Sequence, residues 1–228
     1  MNFNPISNLQ LPLFVYGEPT ANLVDVLPAV WSATESLASP EAISRHRGMD
    51  ALVELGAQRA SPLVAYMLAT CLTDTDIYIR RRAAYIVADL INHDPSMNQT
   101  SEEVRRAAST YLHNMREETI FGLLEVALLD PLVEKSIYYL FNECPVAGSY
   151  LGNILSQYKN PVPIRQKAIY YVGTVGYTEA LPVLERLLAR LEARSTGQYS
   201  MSFAPSVTKT DDEIIPFLRI AIHQLSSR

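Results

Sequence analysis

Residues 74–91, DTDIYIRRRAAYIVADLI, set three consecutive arginines on a stretch whose apolar residues recur at helical spacing. With Arg80 at the origin of a helical wheel and about 100° per residue, Ile79, Ala83, Ile86, Val87 and Leu90 gather on one side, the expected core face. Arg80 falls at the edge of that face, whereas Arg81 and Arg82 point away from it. A run of arginine on a helix reads either as a clamp for a polyanion or as a requirement of the fold. The surrounding sequence decides between them.

The balance of charge argues against the polyanion. The 228 residues carry 19 basic and 24 acidic side chains, a formal charge of −5. Proteins that neutralise many phosphates usually show net positive charge or a clear basic face. Only Lys135, Lys159, Lys167 and Lys209 are lysines, and this arginine bias suits paired, partly buried guanidinium groups. Nine glycines are few for a sheet-rich chain with many turns. The N-terminal stretch MNFNPISNLQLPLFVYGEPT lacks a basic region ahead of its apolar part, and no uninterrupted apolar run reaches about 18 residues. A cytoplasmic protein with no membrane span is therefore expected. Cys71 and Cys144 lie within apolar helical stretches and read as buried free thiols.

Periodicity predicts helices over 21–38, 41–56, 61–72, 76–92, 101–115, 117–129, 131–143, 146–158, 162–175, 178–194 and 211–226. Pro40, Pro62, Pro131 and Pro161 fall at expected first turns. Thr100 and Glu103 form an expected capping box, and Trp31 reads as core. Gly173 and Gly176 suit close packing and a helix end. Aligning alternate helices exposes a recurrence: RHRGMDALVELG from Arg45, RRRAAYIVADL from Arg80, EKSIYYLFNEC from Glu134 and RQKAIYYVGTVG from Arg165. The longer middle interval holds an additional helix near 101–115, and a polar loop at 195–210 separates the last two helices.

Asp-x-Asp-x-x-Ile-Arg-x-x-Ala-Ala at 74–84 and PIRQKAIYYVGTVG followed by TEALPVLERLL across 163–188 resemble the HEAT-repeat family, including its bacterial short-repeat branch. The likeness spans roughly residues 40–190 and weakens at 130–158, where Glu134 replaces the arginine. It implies an all-α fold, an α-solenoid of about five helix pairs over 21–228, preceded by an extended cap at 1–20. It also implies a structural salt bridge between Asp74 and Arg80, with Arg45 and Arg165 in equivalent positions. Neither of those two has an aspartate six residues upstream; Ser39 and Lys159 stand there.

The face led by Arg81 continues through Tyr85 and Asp89. Carried to the other repeats it yields three rows: His46, Arg81, Lys135 and Gln166; Asp50, Tyr85, Tyr139 and Tyr170; Glu54, Asp89, Glu143 and Thr174. In a solenoid the second helices line one surface, usually the concave one. Two readings stand: a solvated face whose neighbours satisfy one another, or a groove that grips a protein or peptide through tyrosine anchors. Arg82 reads as solvated, as do Arg105, Arg106 and Arg116 among Glu102, Glu103, Glu117 and Glu118.

No phosphate loop, dinucleotide fingerprint or nucleophile elbow occurs, and the four histidines are isolated; His113 and Glu117, four apart, could share a metal but read as a surface ion pair. No cofactor or catalytic residue is assigned. The leading expectation is a non-catalytic protein-interaction scaffold. Its rivals are a phycobilin-lyase-like chromophore-binding subunit, a HEAT-like alkylpurine DNA glycosylase, and a homodimer formed through LQLPLFVYG.

Overall fold

Apolar periods broken by proline and capped by short polar side chains build the molecule almost wholly from helix. A computed structural model describes residues 23–92, 100–195 and 209–227; among them are twelve α-helices and no strand. The chain divides into two compact units, residues 1–111 and 112–228.

In the first unit, α1 (Leu23–Leu37) packs against α2 (Ala42–Glu54). A single turn, α3 (Ala57–Ala60), leads to α4 (Pro62–Thr70), which packs against α5 (Ile77–Ile91). Ser61 accepts the Val64 amide to open α4, and Asp76 accepts those of Tyr78 and Ile79 to open α5. Ile79, Ala83, Val87 and Leu90 are fully buried, as the wheel requires. Ile86 packs at the edge of a cluster of Ala65, Leu90 and Val104, the last from α6 (Glu102–His113), the expected additional helix.

In the second unit, α7 (Glu117–Leu129) leads through a 3-10 turn at Pro131–Val133 to α8 (Glu134–Glu143). Next come α9 (Ala147–Ser156) and α10 (Val162–Tyr171), which pack on each other and on α7. The chain continues as a π turn, Val172–Gly176, before α11 (Leu181–Ser195) and α12 (Ile215–Ser226). Two glycines explain that turn. A Cβ on Gly173 would lie 3.0 Å from the Cα of Ala221, so only glycine lets α12 come this close. Gly176 adopts φ of 96°, open to glycine at no steric cost.

Several local expectations need correction. Pro40 precedes the extended cap residue Glu41, and Pro161 is itself the cap of α10, with Pro163 in the first turn. Proline's fixed φ suits an extended cap as well as a first helical residue. Ser101, not Thr100, caps α6 by accepting the Val104 amide. Trp31 is 66% exposed, its indole N–H donated to Glu35, because α1 turns Val30 and Ala33 inward instead. The 1–20 segment and most of the 195–210 loop lie outside the described residues.

Candidate interaction face on the second helices

The turn before each second helix must satisfy carbonyl groups that no helix reaches. Arg80 does this from within its own helix: Nη1 donates to the carbonyls of Asp74 at 2.9 Å and Thr75 at 3.4 Å, six and five residues back. Arg45 repeats the geometry, donating to the carbonyls of Ser39 at 3.1 Å and Pro40 at 2.9 Å. The same side chain thus reaches carbonyls six and five residues back in both turns.

The expected Asp74–Arg80 carboxylate bridge is not what forms. Asp74 gives both carboxylate oxygens to Arg45, each at 2.7 Å, and so ties α2 to the turn before α5. The reason is geometric: Arg80 is drawn back to the turn carbonyls, leaving the carboxylate to the fork that reaches it from the preceding helix. Asp74 also accepts the Asp76 amide at 2.7 Å. Burial pushes its carboxyl upward, but the Arg45 hydrogen bonds, the Asp76 amide and the charges of Arg45 and Arg80 together hold it below the usual value.

Arg165, third in the series, is 1% exposed and donates Nε to the Leu155 carbonyl at 2.9 Å. At Glu134, where the arginine is missing, the carboxylate accepts from Lys167 of α10 instead.

Within the first unit, the predicted face is laced by ion pairs between α2–α3 and α5. His46 lies 3.8 Å from Asp76, and Arg59 lies 2.6 Å from Asp89. Arg82, expected to be solvated, reaches Asp50. The guanidinium of Arg81 sits 5.7 Å from the ring centre of Tyr78, and Tyr85 is 37% exposed. The three arginines thus differ in role: Arg80 braces the turn, Arg81 stacks on an exposed ring, and Arg82 joins two helices.

In the second unit, Lys135 lies 5.9 Å from the ring centre of Tyr139, and Lys167 lies 5.6 Å from that of Tyr170. Tyr139 meets Tyr138 edge-on, as Tyr170 meets Tyr171. Burial, then the Glu134 carboxylate, raises the pKa of the Tyr170 phenol. Gln166 donates to the Glu213 carbonyl at 3.3 Å, and the Thr174 hydroxyl bonds back to the Tyr170 carbonyl. Glu143 lies 3.7 Å from His113, which removes the expected His113–Glu117 pairing; Glu117 instead accepts from Asn153. The row of tyrosines is therefore shared out, Tyr85 in the first unit and Tyr139 and Tyr170 in the second.

Tyr78 and Lys167 escaped the sequence reading. The signal was present: a tyrosine three residues before Arg81, and a lysine three before Tyr170, are same-face neighbours on a helix.

Elsewhere, Glu117, Glu118, Phe121, Gln157, Lys159 and Asn160 line a depression of about 280 Å³. Cys71 and Cys144 are free and buried. Burial raises the Cys71 thiol pKa to about 11, and that of Cys144 rises for the same first reason. Among the described residues no helix is long and apolar enough to cross a membrane, and no three metal-ligating side chains converge. No family model matches the chain, and comparison with curated proteins and with solved structures gives no match.

Proposed function

We propose that the chain is a HEAT-like α-solenoid that acts as a non-catalytic protein-interaction scaffold, holding its partner on the second-helix face. The recurring turn clamp of Arg45 and Arg80 supports the family reading. The observation that carries the function is the set of cation–tyrosine pairs on these helices. Tyr78 with Arg81, Tyr139 with Lys135, and Tyr170 with Lys167 occur in both units. Tyrosine offers a large apolar body, a polar tip and few rotatable bonds, so it anchors a partner at low entropic cost. A cation held against the ring also limits the motion lost on binding. The carboxylates Asp50, Asp89 and Glu143 are engaged by Arg82, Arg59 and His113, which suits adhesion better than proton transfer.

The test is affinity capture from the native host with wild-type protein and with Tyr85→Ala plus Tyr170→Ala, both confirmed helical. The double substitution should lose a defined set of proteins. Recovery of the same set by both baits would overturn the assignment of this face.

A further inference from the structure

The depression in the second unit has two walls from separate parts of the chain. One is the start of α7, with Glu117, Glu118 and Phe121; the other is the connection from α9 to α10, with Gln157, Lys159 and Asn160. Its volume of about 280 Å³ is close to the lower end for small-molecule sites, roughly 300 Å³, and suits one small molecule. None of its lining residues belongs to the three rows of the second-helix face.

The walls carry opposite charge, and the charges do not meet. Among the described residues the side chains of Glu118 and Lys159 have no ion-pair or hydrogen-bond partner, although both border the same space. The Glu117 carboxylate has the Asn153 amide, at 3.3 Å, because His113 turns to Glu143 instead. On the lysine wall Asn160 is fixed: its Nδ2 donates to the Ile154 carbonyl at 2.9 Å, which leaves Oδ1 to accept. α10 begins just after Asn160, and Pro161 at its cap offers no side-chain acceptor, so that helix end adds to the preference of Lys159 for an anion. The first turn of α7 already has its own carboxylates, Glu117 and Glu118. Phe121 is half-buried and gives the α7 wall an apolar ring. A simple cation would leave Lys159 facing it, and a simple anion would face two glutamates. A molecule that carries both charges answers both walls at once.

We infer that this depression binds a small dipolar molecule of amino-acid size. Its ammonium lies toward Glu117 and Glu118, its carboxylate toward Lys159, and its apolar side chain against Phe121. The site is independent of the interaction-scaffold reading.

Calorimetric titration of the full chain with L-phenylalanine tests it, with 2-phenylethylamine and 3-phenylpropionate as probes that each lack one charge. L-phenylalanine should bind with a Kd of about 1 mM or tighter, and each analogue at least about tenfold more weakly. Lys159→Met should erase the preference over 2-phenylethylamine. Glu117→Gln combined with Glu118→Gln should erase the preference over 3-phenylpropionate. Lys159 is exposed, so its variant keeps the test open if the α7 variant is destabilised. No binding of L-phenylalanine at about 10 mM, equal binding of the three probes, or a preference over 2-phenylethylamine that survives Lys159→Met overturns the inference.

Discussion

The two units anchor their second helices by different chemistry in the same place. In the first, charge does it: Arg45 and Arg80 clamp successive turns, the part-buried Arg45–Asp74 pair crosses from helix to turn, and the more exposed Arg82–Asp50 and Arg59–Asp89 pairs cross from helix to helix. In the second, the anchors are buried. Arg165 is enclosed, the Phe141 and Tyr171 rings meet edge-on at 5.0 Å, and the phenols of Tyr171 and Tyr177 donate to the carbonyls of Glu134 and Phe141. A helix can thus be tied to its neighbours by guanidinium forks or by enclosed side chains that donate to backbone carbonyls.

The comparison breaks most readily at Arg165. Its Arg165→Ala variant should lose about 3–5 kcal/mol, since it opens a cavity and strands the Leu155 carbonyl. Urea unfolding measures the loss, and a change below about 1 kcal/mol would mean that buried anchoring does not distinguish the second unit. Arg165→Lys should rescue little, because an ammonium cannot reproduce the angle of the guanidinium Nε–H.

In the first unit Asp74→Ala should cost about 2 kcal/mol, less than the Arg165 change because the pair borders solvent. Arg45→Ala should cost more than Asp74→Ala, since it also strands the Ser39 and Pro40 carbonyls, and the two changes together should cost less than their sum, since they share one bidentate contact. Additive losses would show that each holds the turn independently. The pH dependence follows from the Asp74 carboxyl, whose folded value is lowered. A lowered carboxyl stabilises the fold above its unfolded value and loses that contribution as pH falls through the folded one. The gap in urea midpoint between wild type and Asp74→Asn should therefore be full at neutral pH and close below about pH 4. A gap that is constant across that range would sink the charge-based account of the first unit.

How much of this could be read in advance depends on the range of each interaction. Helix positions were legible because apolar periodicity and proline are local signals, and α5 and α7 fall within a residue of expectation. The core face of α5 was legible for the same reason. The partner of Asp74 was not, because Arg45 lies 29 residues away and local spacing pointed to Arg80. Trp31 misled because size suggests burial, whereas α1 needs the smaller Val30 and Ala33 inside. The pairing of Glu134 with Lys167 depends on packing between α8 and α10, which no motif encodes. Of the candidate face, the rows were visible as an alignment; the cations lying against tyrosine rings required side-chain geometry.

The smallest effect separates holding the fold from holding a partner. Lys135→Met removes a cation 5.9 Å from the Tyr139 ring while keeping the length of the aliphatic stem. An exposed cation–π contact contributes about 0.5–1 kcal/mol, so the midpoint of urea unfolding should barely move. If the change leaves stability almost untouched yet depletes the captured proteins, this cation acts outward, toward a partner. A stability loss near that of Asp74→Ala would instead place it among the ties that set one helix against the next.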